Sequence, residues 1–192
     1  MLPGFADPVL DSQRAFRALL DAMDHPGRVV EMPGSESAPD PLHPAAAAVC
    51  LTLADFETPV WFDDRAATLD TVAYLRFHCG CRLVDSPAQG RFALISEPGR
   101  MPRLSAFDLG SDEFPDRSTT VLVQVESLTT GRGRRLTGPG IRVEARLEAR
   151  GLPDAFWQGL RQNHALFPRG VDVLLTSGRH LVALPRTTAV EG

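Results

Sequence analysis

TTVLVQVES, residues 119–127, is an apolar, β-branched run of strand length. It is apolar enough to lie in the middle of a sheet, because a strand covered on both faces reads as a near-continuous hydrophobic run. FALIS, residues 92–96, is a second run of the same kind, and TPVWF (58–62) and RVVEM (28–32) are shorter ones. VDVLLTSGRHLVALP, residues 171–185, gives two strands joined near Ser177-Gly178-Arg179. Between 98 and 116 the chain is mostly connection.

Helical patterns are interspersed among these strands. In residues 11–27 Phe16, Leu19, Leu20 and Met23 recur at i, i+3, i+4 and i+7 behind a cap at Asp11 or Ser12, and Pro26-Gly27 end the helix. Residues 44–55 open on a proline and continue with strong helix formers. Residues 66–79 place Leu69, Val72, Ala73, Leu75 and Phe77 close to helical spacing, with Gly80 as the stop. Residues 153–167 form a fourth helix with Phe156, Leu160 and Trp157 inward. A Pro-, Ser- and Asp-rich loop is expected over residues 33–44. The fold class is therefore α/β: a three-layer α/β/α arrangement with a mixed sheet covered on both faces, in one domain over residues 1–192. A chain of this length buries roughly 70% of the surface it would expose unfolded, enough for a core without staples.

GRGRRLTGPG, residues 131–140, raises the question of phosphate binding. Gly133 and Gly138 keep the spacing of a phosphate loop, but Pro139 stands where the lysine belongs and no amphipathic helix follows. Leu136, Ile141, Val143, Ala145 and Leu147 instead mark two alternating runs around Gly138-Pro139-Gly140, a hairpin-like turn or a strand bent at glycine. By charge, Arg132, Arg134 and Arg135 are either an anion site or solvated residues beside that turn.

All 20 basic residues are arginine, and the chain has no lysine. Schiff-base chemistry, a pyridoxal phosphate aldimine and a lysine general base are thereby excluded, while forked recognition of carboxylates and phosphates stays open. A net charge of −4 gives no reason to expect nucleic acid or a membrane surface as partner. The three cysteines, Cys50, Cys79 and Cys81, are a poor disulfide framework and read as reduced thiols. With His78, and with His43 or Cys50 added, they lack the paired spacing of a structural zinc site, so no metal is expected. No basic-then-apolar leader and no span of about 20 apolar residues is visible, which reads as cytoplasmic. His78 is an acid or base by its ordinary pKa, or a cap at a helix end. ALPRTT puts Arg186, Thr187 and Thr188 just after a strand, as a ligand-contacting or plain surface loop.

Taken together, SQRAFRALLDAMDHPG (12–27), LTLADFETPVW (51–61), LRFH (75–78), RLTGPGI (135–141), FPRGVDVLLTSG (167–178) and LVALPRTTAVE (181–191) closely resemble the H-subunit family of the bacterial carbon-phosphorus lyase system, PhnH. The resemblance covers the chain from about Phe5 to Glu191. It implies a subunit, working beside G, I and J subunits, of the complex that uses ATP and methylphosphonate to form α-D-ribose 1-methylphosphonate 5-triphosphate in organophosphonate catabolism. It also implies a fold like that of the pyridoxal-phosphate-dependent transferases without their cofactor site, and a homodimer when the subunit is isolated. Two roles stay open. The subunit scaffolds and docks a homologous partner, or it contributes groups that orient nucleotide or phosphonate. Arg76, His78, Arg135, Arg186 and Thr187, all within the resembling motifs, are the candidates for the second role.

Overall fold

The structure, a computed structural model, describes residues 2–33 and 37–192; residues 34–36 of the expected loop lie outside the described residues. In chain order the elements are α1 (Pro8–Asp24), β1 (Val30–Glu31), α2 (Pro44–Leu53), β2 (Pro59–Phe62), α3 (Leu69–Cys79), β3 (Arg82–Leu83), β4 (Phe92–Ile95) and β5 (Thr120–Gln124). They continue with β6 (Ser127–Thr137), β7 (Ala145–Arg150), α4 (Asp154–His164), β8 (Asp172–Ser177), β9 (His180–Leu184) and β10 (Ala189–Glu191).

Seven strands form a mixed sheet in the order β1-β9-β8-β5-β4-β2-β3. The opening stretch supplies β5, which pairs in parallel with β4 on one side and β8 on the other, so it is central as its composition demands. β9 and β1 close one edge in antiparallel fashion. Both faces are covered. Leu94, Leu122, Leu174, Leu181 and Ala183 point toward α1, α2 and α3, while Ile95, Val121, Val123, Leu175 and Val182 point the other way. That second face carries α4 together with a three-stranded antiparallel sheet, β10-β6-β7, rather than a layer of helices alone. Leu136, Leu147 and Val190 of the small sheet reach the same core as Phe156, Trp157 and Leu160 of α4.

α1 begins earlier than expected, because Asp7 rather than Asp11 or Ser12 caps it: its carboxylate accepts from Val9 N at 3.1 Å and Leu10 N at 3.0 Å, with Pro8 in the first turn. Its buried face is also different. Asp11, Ala15, Leu19 and Ala22 turn inward, and Phe16 and Leu20 stay 44% and 51% exposed. The helix is rotated by about a quarter turn from its most apolar stripe. The cause is α2, whose Ala45, Ala46, Ala47 and Ala48 are fully buried. Ala15 and Ala22 allow close approach to that small-residue helix, where Phe16 would not fit. In α3 too, Leu69 and Phe77 remain exposed while Thr71, Tyr74 and Leu75 are buried.

Residues 131–140 are strand and turn. β6 runs through Gly131–Thr137 against β7, with a register shift between Thr130 and Arg134. Gly133 makes the bulge possible: at φ +85° its absent Cβ would lie 2.3 Å from Leu147 O. No helix follows, so the backbone N–H groups serve a ladder and not an anion. Ile141 and Val143 fall in the turn rather than in a strand, since β7 starts only at Ala145. In ALPRTT, Ala183 and Leu184 end β9, and residues 185–188 form a tight turn, closed by Thr188 N to Pro185 O at 2.8 Å, that leads into the unforeseen β10.

Candidate functional site

In sheets of this kind ligands gather beyond the carboxyl ends of the parallel strands. Here two polar clusters occupy that edge. Asp63, the residue after β2, accepts at one oxygen from Ala66 N (2.8 Å) and Ser96 Oγ (3.1 Å), and at the other from Ser96 N and Glu97 N (both 2.8 Å). The carboxylate thereby joins the ends of β2 and β4. At the end of β5, Gln124 accepts from His43 N at 2.5 Å and donates to Pro41 O at 2.8 Å. His43 precedes Pro44 at the α2 N terminus, and its Nδ1 faces Thr176 O at 3.2 Å, at the end of β8.

Burial holds His43 below the usual histidine value, outweighing the hydrogen bond to Thr176. A neutral ring must donate from Nδ1 to that carbonyl, which leaves the Nε2 lone pair as the group with chemistry to offer. Because the folded pKa is depressed, the unfolded chain binds the extra proton as pH falls below about 6.5. Stability contributed by His43 is therefore present above pH 6.5 and declines as acid is added down to the folded value. Urea midpoints measured from pH 7.5 to 5.5 should fall for the native protein and fall less steeply for His43→Asn.

The sequence-derived candidates do not meet at this edge, and the structure divides them. Arg76 and His78 lie in the last turn of α3, which Thr68 caps through Thr71 N (3.1 Å) and Gly80 ends by returning its N–H to Arg76 O (3.0 Å). His78 is engaged in holding the N-terminal segment: Nε2 lies 3.1 Å from Leu2 O, Gly4 packs on the ring, and Tyr74 and Phe77 flank it at 4.6 and 5.0 Å between centroids. Arg76 is exposed.

Arg135, Arg186 and Thr187 lie around the small sheet. Arg135 Nε donates to Glu144 at 2.7 Å and Nη1 to Glu191 at 2.5 Å, its register partner on β10. The hydrogen bond from Arg135 holds the Glu144 carboxyl below its ordinary value. Arg186 grips Asp172 through Nε (3.2 Å) and Nη2 (2.6 Å) and also reaches Ser118 Oγ and Pro115 O. Thr187 presses its backbone against Gly138. The guanidinium forks expected to meet a ligand are largely filled by this chain's own carboxylates and carbonyls.

The thiols share one neighbourhood, with Cys79 Sγ 3.5 Å from Cys50 O. Burial pushes Cys79 up to about 12 and raises Cys50 and Cys81 as well, so all three are neutral thiols near pH 7 and poor nucleophiles. Among the described residues no group of three or more His, Cys, Asp or Glu could hold a metal ion.

His43 and Gln124 entered the sequence reading only as a remote thiol-site partner and as part of a strand. Their signal was nevertheless present: a lone amide at the end of the most apolar run, and a histidine set before a helix-opening proline.

Comparison with known proteins adds the family. The profile described as "Bacterial phosphonate metabolism protein (PhnH)" matches residues 3–191. The chain is 39% identical over 187 residues, 97% of its own length and 94% of the relative's, to the alpha-D-ribose 1-methylphosphonate 5-triphosphate synthase subunit PhnH of Rhizobium meliloti (strain 1021). It is 33% identical over 179 residues, 93% of this chain and 85% of the relative, to the putative C-P lyase subunit protein HtxG of Stutzerimonas stutzeri. With likeness running through both sheets and every helix, the chain belongs to the PhnH family of bacterial phosphonate metabolism proteins.

Proposed function

We propose that this chain is the H-type subunit of an assembly that forms α-D-ribose 1-methylphosphonate 5-triphosphate from ATP and methylphosphonate, and that it acts there by docking and scaffolding. The observation that carries the reading is the near-full-length likeness, at 39% identity, to the PhnH subunit of that synthase. Its partners on this reading are a second copy when it is isolated, and the G, I and J subunits in the complex, in the cytoplasm. Among the described residues no helix is long and apolar enough to cross a membrane.

Physical support comes from α1. Val9, Phe16 and Leu20 are 77%, 44% and 51% exposed and fall on one side of the helix, away from its buried face. Such a stripe suits a partner's apolar surface. The mixed sheet is read as a transferase-like architecture without pyridoxal phosphate, since a chain lacking lysine forms no aldimine.

A second reading, in which the subunit orients a nucleotide or phosphonate, rests on Arg76, whose exposed guanidinium has no hydrogen bond or ion pair among the described residues. Reconstitution with the partner subunits separates the two. Phe16→Asp with Leu20→Asp should weaken co-purification at least tenfold and reduce turnover in parallel, whereas Arg76→Ala should preserve both. Loss of turnover in Arg76→Ala with assembly intact would establish the second reading instead.

A further inference from the structure

β4 and β5 are neighbouring parallel strands, and the connection between two such strands is usually a helix laid across the sheet. Residues 96–119 provide none. Prolines at 98, 102 and 115 and glycines at 99 and 110 allow only three short 3-10 turns, Pro98–Arg100, Leu104–Ala106 and Pro115–Arg117. The strap is held at its middle. Leu104 and Phe107 are buried, Phe107 meets Trp61 edge-on at 5.9 Å, Asp108 O accepts from Thr119 N and Leu109 O from Gly170 N, both at 2.8 Å. A helix there would have filled the space beside α4. The strap leaves it as a cleft of about 390 Å³ between residues 98–109 and α4, within the ~300–1,000 Å³ of small-molecule pockets.

The lining residues are of two chemical kinds. Met101, Leu104, Leu109, Phe156 and Leu166 form the apolar lining of the cleft. Arg103, Ser105, Gln158 and Gln162 line it with polar side chains that have no hydrogen bond or ion pair among the described residues. Gln158 and Gln162 are one helical turn apart, so their amides present on the same side of α4. Arg103 is the single charged residue of the lining, and no carboxylate lines the cleft to neutralise it.

We infer that this cleft is a binding site for a small amphipathic anion, with its apolar body on the Leu104–Phe156 floor and its anionic group on the Arg103 guanidinium. Charge complementarity selects the sign, and a volume of about 390 Å³ suits a small molecule rather than a helix. The glutamine amides supply the hydrogen bonds that orient the polar end. The inference does not depend on the proposed subunit role, because it concerns what the isolated chain binds.

The test is calorimetric titration of the full chain with naphthalene-2-sulfonate and, separately, with its neutral counterpart 2-naphthol. One saturable site is expected for the sulfonate, with 2-naphthol at least fivefold weaker. Arg103→Glu should weaken the sulfonate at least tenfold with an unchanged circular dichroism spectrum and thermal midpoint. Gly159→Leu should abolish binding by filling the cleft. Because that leucine meets Leu104, whose Cδ1 lies 3.6 Å from the position of a Cβ at Gly159, the exposed Gln162→Trp offers a second way to block the space. Absence of saturable binding overturns the proposal, as does equal affinity in Arg103→Glu. So does an Arg103→Glu variant that fails to join the partner subunits while no probe binds, which would make the cleft a protein interface.

Discussion

Replacing Arg186 with alanine should cost about 3–5 kcal/mol and lower the thermal midpoint by roughly 10 °C. Arg186 and Asp172 are 13% and 20% exposed at the side chain and form a forked pair, Nη2 to Oδ2 at 2.6 Å and Nε to Oδ1 at 3.2 Å. The same guanidinium donates to Pro115 O and Ser118 Oγ, both at 2.6 Å, and the Arg186 backbone N–H adds a bond to Asp172 at 2.8 Å. One side chain thus ties the end of the strap, the start of β8 and the turn before β10. Alanine would leave the Asp172 carboxylate mostly buried with a single backbone donor, and an unpaired charge in that setting is what makes half of a pair so costly to remove. Arg186→Lys should recover little, because an ammonium cannot span three acceptors in one plane. The control is Arg186→Met with Asp172→Leu, which removes both charges and should be less destabilising than the sum of the single changes. Urea denaturation of the four proteins gives the coupling. A single variant as stable as the native chain would show that the guanidinium is free for ligand after all.

That pair also shows where sequence stops being legible. Arg186 stands out after a strand and reads as a ligand contact, but its carboxylate partner is fourteen positions earlier, on the neighbouring strand. Only the antiparallel register of β8 and β9 brings them together. Runs such as Val121–Val123 were legible because burial on both faces leaves a compositional mark. The rotation of α1 was not, since periodicity ranks its faces by apolarity, whereas the closeness of Ala45–Ala48 in α2 ranks them by size. The three residues of β10 carry too little pattern to be told from a loop, and they become a strand only because Leu136 and Arg135 offer them a ladder. The carboxyl-edge cluster depends on contacts from residue 43 to residues 124 and 176, which no local window contains.

Gly140→Ala should cost about 3 kcal/mol, most of it from one contact. Gly140 sits at φ +80°, where an alanine loses about 1 kcal/mol or more to left-handed strain. Its Cβ would also lie 2.1 Å from Asp24 O and 2.8 Å from Pro26 Cδ. A backbone oxygen at the end of a capped helix cannot swing aside as a side-chain tip can, so the whole turn over residues 138–141 must withdraw, at a cost of the order of 1–3 kcal/mol. The contact joins the end of α1 to the hairpin of the small sheet, and Gly27 meets Leu136 of the same hairpin. Two motifs more than a hundred residues apart therefore keep their glycines for one mutual approach. Gly131→Ala isolates the effect, because Gly131 has nearly the same φ, +83°, but nothing within 4 Å of its Cβ position. It carries the conformational penalty alone. Thermal midpoints should place Gly140→Ala well below Gly131→Ala, and limited proteolysis should find the 138–144 turn opened in the first variant only. Equal midpoints would mean that the turn retreats from α1 at no cost, and that the glycine serves the bend rather than the junction.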